Sequence, residues 1–144
     1  MKLIKQVDVE GCGIACVAML LGKSYETVRE ELFRAMKWTA ETQSLRTHAD
    51  GLMKILAGVQ HKKVKYRSFD SIQSVSILAV NPLSKEDYHW VVAFRSNGCL
   101  WIADPELGEL YRYHNWSEDE EGGYTLANYS SIKLPTLNID SVVV

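Results

Sequence analysis

The sequence predicts an α+β fold in which N-terminal helices pack on an antiparallel sheet. Apolar residues follow helical spacing through the first part of the chain, up to about residue 56. From about residue 64 onward, polar and apolar residues alternate with the period of a strand. Helices that precede the strands, instead of alternating with them, favour α+β architecture over a parallel βαβ sheet.

Three segments of the first half predict helices. Residues 12–22 have almost no polar face, which predicts a buried helix that ends at Gly22. Ser24 is a candidate N-cap for a second helix, in which apolar residues recur every fourth position. Residues 47–50 resemble a capping box, so a third helix is expected to begin there and to end at Gly58.

The second half predicts a series of strands joined by turns. Its strongest strand pair is joined at Asn97-Gly98, a dipeptide typical of two-residue hairpin turns. An acidic, glycine-ended stretch at residues 117–123 predicts a loop. The predicted strands are residues 64–68, 76–80 (a central strand), 88–94, 100–103 and 109–113.

The composition is typical of a single globular domain. The chain has 144 residues, 47% hydrophobic and 24% charged, with a net charge of -2. This predicts one domain over residues 1–144, and the lack of a basic surplus argues against a nucleic-acid partner. The longest apolar run, Ile14–Leu21, is too short for a membrane span, and residues 1–8 do not resemble a signal peptide. We therefore expect a cytoplasmic protein with no membrane segment, unless another system exports it.

The three cysteines do not follow the spacing of a metal site or of a disulfide framework. Cys12 and Cys16 are four residues apart, and no second Cys or His pair completes a metal site at standard spacing. We therefore expect no metal and no cofactor. Cys16 lies within an apolar helix and Cys99 beside a hairpin turn, so both are expected to be inert.

Cys12 is the candidate nucleophile of the chain. It lies at a predicted helix start between Gly11 and Gly13, where a sharp backbone turn lets a substrate approach. The helix dipole at this position favours a thiolate, and the backbone N–H of Cys12 is free to bind an oxyanion. The side-chain amide of Gln6, six residues earlier, can supply a second donor.

The predicted hairpin places a histidine and an aspartate together. A two-residue turn at Asn97-Gly98 makes Asp104 the diagonal neighbour of His89 on one face of the sheet. Such neighbours lie ~7–8 Å apart at the backbone, within reach of longer side chains. Asp104 would then fix the tautomer of His89 and favour its imidazolium form. A register slip of one residue would place Asp104 on the opposite face.

The remaining histidines carry no comparable signal. His48, with Asp50, indicates a helix start, while His61 and His114 lie in polar stretches. Any one of the three motifs around Cys12, His89 and Asp104 also has a purely structural interpretation. Their combination in one chain is what favours thiol catalysis.

Three segments together resemble the C39 peptidases, a papain-like cysteine protease family. Residues 6–19, with Gln, five residues and then Cys-Gly, are similar to its active-site segment. Residues 88–92 are similar to its histidine strand, and residues 102–105 with Gly108 to its aspartate turn. The family usually has aspartate immediately before the cysteine, where this chain has Gly11.

This resemblance covers residues 1–116 and implies a papain-like fold with four assigned roles. Cys12 would be the nucleophile, His89 the base, Asp104 the orienting acid and Gln6 the oxyanion donor. The expected activity is hydrolysis of a peptide or protein amide, in a bacterial or phage protein. Two alternatives stay open: a deamidase or acyltransferase using the same residues, and a non-catalytic peptide-binding module.

Overall fold

Three helices lie against a six-stranded antiparallel sheet in a computed structural model that describes residues 1–39, 44–81, 88–114, 123–127 and 130–143. This arrangement confirms the predicted α+β class. The strand order is β1-β6-β2-β3-β4-β5. The helices are α1 (Cys12–Leu21), α2 (Tyr25–Met36) and α3 (Ala49–Lys54), and the strands are β1 (Lys62–Val64), β2 (Ser76–Val80), β3 (His89–Ser96), β4 (Cys99–Asp104), β5 (Glu109–Arg112) and β6 (Ser131–Lys133).

Both faces of the sheet are covered by apolar side chains. Trp90, Val92 and Phe94 of β3 belong to the main core that the helices cover, while the alternating Val91 and Ala93 belong to a second cluster on the opposite face. β2 is buried along its whole length, as a central strand must be. α1 packs directly on β3, so the start of this helix is brought to the sheet.

The helix boundaries confirm part of the sequence prediction. α1 is followed by Gly22 with φ 65, and the Ser24 side chain accepts a hydrogen bond from Thr27 N at 3.1 Å to cap α2. The predicted capping box of α3 is wrong, because His48 is the N-cap and makes no side-chain cap bond. Thr47 is instead buried, and its carbonyl accepts from the Trp90 indole at 2.9 Å. In the described part of the chain, no helix is long and apolar enough to cross a membrane.

The β3–β4 hairpin has the register expected from the sequence. Ser96 pairs with Cys99 and, further along, Val92 pairs with Ala103. Asn97 and Gly98 both adopt positive φ, 52 and 79. Positive φ at both positions is typical of the two-residue turn whose twist matches the right-handed twist of the strands. This register therefore places His89 and Asp104 on the same face of the sheet, at the end of the hairpin away from the turn.

The outer strands differ from the prediction. β1 overlaps the predicted segment 64–68 only at Val64, because the chain leaves the sheet there and the Tyr66 hydroxyl bonds to Ser76 Oγ at 2.7 Å. β6 pairs with both β1 and β2 and had no strand signal in the sequence analysis. The predicted loop at 117–123 lies outside the described residues, apart from Gly123.

Candidate active site

Cys12 is the first residue of α1. Gly11 precedes it as the N-cap with φ -90, and the Cys12 side chain is half-buried. The first N–H groups of a helix have no acceptor within the helix, and the dipole favours negative charge beside them. This position provides N–H groups for a bound carbonyl oxygen.

His89 at the start of β3 shares a cleft with Cys12 and hydrogen bonds to a carboxylate. Its Nε2 lies 2.7 Å from Asp104 Oδ1. Cys12 lines the same cleft as His89, and the bond from Nε2 to Asp104 leaves Nδ1 as the ring nitrogen available to the thiol. Burial lowers the pKa of His89, but the hydrogen bonds and charges of Asp104 and Cys12 outweigh burial and raise the pKa to about 10. His89 is therefore an imidazolium at neutral pH.

The Asp104 carboxylate is buried and accepts three hydrogen bonds. Oδ1 accepts from His89 Nε2 and, at 2.9 Å, from Glu106 N, while Oδ2 accepts from the Tyr124 hydroxyl at 2.6 Å. Burial raises the pKa of Asp104, but the bond and charge of His89, together with the other two donors, bring it below its ordinary value. The opposite pKa shifts of the two residues describe an ion pair.

A cleft of about 230 Å³ lies over the thiol and the imidazole. One wall is the loop that leads into α1, another is the turn before α3, and the floor is the start of β3. Arg46 and Glu10 form an ion pair of 3.1 Å at its rim. The cleft is lined by Gln6, Val9, Glu10, Cys12, Arg46, Thr47, Tyr88, His89, Trp90 and Glu106.

Gln6 lies in the same cleft but is bonded to the protein backbone. Its backbone N–H donates to Pro105 O at 2.8 Å, which holds the segment beside the turn after Asp104. Its amide Nε2 donates to Val9 O at 2.7 Å and to Asp8 O at 3.2 Å. The side chain therefore fixes the loop before Cys12 in addition to facing the cleft.

A tyrosine from α2 occupies the space beside Gly11. The Tyr25 hydroxyl donates to Asp8 Oδ2 at 2.6 Å, and Arg29 Nε lies 3.2 Å from the same oxygen. A Cβ at position 11 would lie 1.9 Å from the Tyr25 hydroxyl oxygen. Any larger residue at this position, including the aspartate usual in the C39 pattern, would displace Tyr25. The close approach of Tyr25 therefore explains the glycine at position 11. The backbone conformation does not require glycine, because a φ of -90 is open to other residues.

We expect Gly11→Ala to lower the free energy of unfolding by about 1–3 kcal/mol, since the new methyl group must displace Tyr25. In the Gly11→Ala/Tyr25→Phe double variant the clash is relieved. The loss of unfolding free energy should therefore be smaller than the sum of the losses in the two single variants. Urea unfolding of the three variants measures this coupling. Gly51→Ala is the matched control, because its Cβ meets nothing closer than Met36 Sδ at 3.7 Å. Additive losses would show that Tyr25 is not what restricts position 11.

The other chemically active side chains are placed differently. Cys16 is fully buried one turn after Cys12, and burial raises the pKa of its thiol well above the ordinary value. Cys99 is half-buried beside the hairpin turn. His48 lies at the start of α3, as the sequence indicated, but makes no side-chain cap bond, and its Nδ1 lies 2.9 Å from the Tyr88 hydroxyl. Neither Cys16 nor Cys99 lines the cleft.

Two features of the site escaped the sequence analysis. The bond from Tyr124 to Asp104 joins strand β4 to a segment for which no element was predicted. The potential metal ligands His89, Asp104 and Glu106 lie within 4.8 Å of one another. His89 Nε2 already bonds Asp104 Oδ1, and the Glu106 side chain is exposed. The bond between His89 and Asp104 accounts for the proximity of two of these three groups.

Comparison with known proteins is consistent with this geometry. Residues 1–116 match the model of the Peptidase C39 family. The lactococcin-G-processing and transport ATP-binding protein LagD of Lactococcus lactis subsp. lactis is 31% identical to the chain over 115 residues. The alignment covers 76% of this chain and 16% of that relative. The family match contains Gln6, Cys12, His89 and Asp104, and it ends before Tyr124.

Proposed function

Because the chain belongs to the Peptidase C39 family, a family of cysteine peptidases, we propose that its activity depends on Cys12, His89 and Asp104, with Gln6 assisting. The observation that supports this most is the group formed by Cys12 and His89, which line one cleft, and by Asp104, whose Oδ1 lies 2.7 Å from His89 Nε2. It contains a nucleophile, a proton carrier and an orienting acid in the order that thiol catalysis needs.

In this mechanism the Cys12 thiolate attacks the substrate carbonyl and a tetrahedral oxyanion forms. The His89 imidazolium gives its Nδ1 proton to the leaving amine, the C–N bond breaks, and an acyl-enzyme remains. Neutral His89 then takes a proton from water, which attacks the thioester and releases the acid. Asp104 keeps the second proton on Nε2 throughout, so the nitrogen that exchanges protons always faces the sulfur.

The oxyanion receives donors from the Cys12 backbone N–H and from the Gln6 amide. The bond from Gln6 Nε2 to Asp8 O is the longer of its two, 3.2 Å against 2.7 Å to Val9 O. We propose that the substrate oxyanion replaces Asp8 O as the acceptor of this bond. The Val9 bond would then hold the amide in place.

The substrate we propose is a peptide or protein, and the site of action is the cytoplasm. The relative LagD is named for processing lactococcin G, which favours a precursor peptide as the substrate class. All three cysteines are free thiols, as expected in a reducing compartment.

The test of this proposal is the selectivity of thiol labelling. Iodoacetamide at mildly acidic pH should alkylate Cys12 first, because Cys12 lies at a helix start in the same cleft as His89 while Cys16 is buried. A peptide aldehyde should protect the same thiol from alkylation, since the aldehyde carbon forms a hemithioacetal with the nucleophile. Mass spectrometry of peptic fragments identifies the modified residue.

Two variants act as controls for this labelling. Cys12→Ala should remove the fast label, and Cys99→Ala, which removes a half-buried thiol away from the cleft, should leave it unchanged. Preferential labelling of Cys16 or Cys99 in the parent protein would contradict the assignment of Cys12.

A further inference from the structure

Asp104 has one partner from beyond the residues that match the family. The Tyr124 hydroxyl donates to Oδ2 at 2.6 Å, whereas the other two donors both bind Oδ1. Asp104 is 6% exposed and Tyr124 8%, so solvent has little access to either group. Tyr124 is therefore the donor that serves the oxygen not bound to the imidazole.

The segment that carries Tyr124 is fixed to the sheet by its backbone. Thr125 N donates to Asn81 Oδ1 at 2.8 Å, and Asn81 N donates to Thr125 O at 2.7 Å. Ala127 N donates to Ala79 O at 3.0 Å. Through these bonds, β2 pairs with the segment that carries Tyr124 beyond the residues at which β2 pairs with β6. The tyrosine is thus presented to Asp104 from an anchored backbone.

We propose that Tyr124 is a positioning residue for the catalytic acid, fixing both the orientation and the charge of the Asp104 carboxylate. This inference rests on the proposed function, in which Asp104 orients His89. With donors on both oxygens, the carboxylate cannot rotate about Cβ–Cγ without breaking a bond. A buried carboxylate oxygen without a donor would also be costly, so the hydroxyl favours the ionised form.

Removing the hydroxyl should change the titration of Asp104 in a defined direction. The Tyr124 bond is one of the contacts that lower the pKa of this carboxyl, so its loss should raise that pKa. Tyr124→Phe keeps the ring in the second apolar cluster and deletes only the oxygen. Tyr111→Phe is the matched control, because its ring lies 6.0 Å from that of Tyr124 while its hydroxyl donates to Glu109.

The experiment is a pH titration of the full chain by NMR, with the histidines labelled with ¹⁵N. His89→Gln identifies the His89 signals, and the inflection of the His89 Nε2 shift on the acid side reports protonation of Asp104. In Tyr124→Phe we expect this inflection to move up by about one to two pH units. In Tyr111→Phe it should stay at the parent value. The kcat for a peptide that the parent cleaves should fall only in Tyr124→Phe.

Two results would overturn the role of Tyr124. One is an acid inflection in Tyr124→Phe that coincides with the parent, whatever happens to its melting temperature. The other is an unchanged kcat. Failure of the proposed function would look different, because it would show as labelling of the wrong cysteine while the Asp104 inflection still moved with Tyr124→Phe.

Discussion

Replacing Asp104 with alanine is expected to lower kcat by roughly 10²–10⁴-fold on a peptide that the parent protein cleaves, with little change in KM. The upper value is typical of serine triads, in which loss of the acid permits the wrong imidazole tautomer. A cysteine thiol needs less activation than a serine hydroxyl and so depends less on the acid, which places the lower value within the range. The variant removes the acceptor at 2.7 Å that keeps the proton on His89 Nε2.

The same variant should also narrow the pH range of activity from the basic side. Protonated His89 must donate to the leaving amine, so turnover in the parent should fall as the pH rises through about 10, the pKa of His89. The hydrogen bond and charge of Asp104 are among the causes that raise this pKa. In Asp104→Ala the basic limb of the kcat profile should therefore move to lower pH.

Asp104→Asn separates orientation from charge. The amide oxygen of the asparagine should occupy the Oδ1 position, because both Glu106 N and His89 Nε2 donate hydrogen bonds there. The His89 ring should therefore keep its orientation. We expect a smaller loss of kcat than in Asp104→Ala and a similar downward shift of the basic limb. Glu106→Gln is the control, since its exposed carboxylate lies 4.0 Å from His89 Nε2 and should matter little. Full activity in Asp104→Ala would show that Asp104 is not needed for catalysis and only supports the turn.

The sequence predicted the histidine–aspartate pair because the hairpin that places it is locally encoded. Asn97-Gly98 adopts positive φ at both positions, and this turn fixes the register from Ser96–Cys99 to Val92–Ala103. With side chains alternating along each strand, register decides which residues share a face. His89 and Asp104 are therefore brought together by a short stretch of chain whose geometry leaves few alternatives.

Contacts between distant segments could not be predicted in this way. The bond from Tyr124 to Asp104 depends on how residues 123–127 return to β2, and no turn or periodic pattern encodes that path. The close approach of Tyr25 to Gly11 depends on how α2 packs beside the loop. The capping box failed for a similar reason, because Thr47 is held by Trp90 instead of capping α3.

Gln6 shows most clearly what the structure adds to the sequence. The spacing to Cys12 predicted that the Gln6 amide is an oxyanion donor, yet its Nε2 donates to two loop carbonyls, Val9 O and Asp8 O. Its Oε1 is buried and has no hydrogen-bond partner among the described residues. Since the amide stabilises the loop in the resting protein, its replacement should affect stability as well as catalysis.

Gln6→Ala is expected to lower kcat by roughly 10²–10³-fold, the usual loss for one oxyanion donor, and to lower the free energy of unfolding by about 1–2 kcal/mol. Counting competent sites by irreversible labelling of Cys12 separates the two effects, since turnover is then expressed per folded active site. Gln73→Ala is the matched control, because Gln73 Nε2 also donates to a loop carbonyl, Asp70 O at 3.0 Å, away from the cleft. It should cost stability without slowing turnover per site. If Gln6→Ala behaves in the same way, Gln6 only supports the loop and the oxyanion must be bound by backbone N–H groups alone.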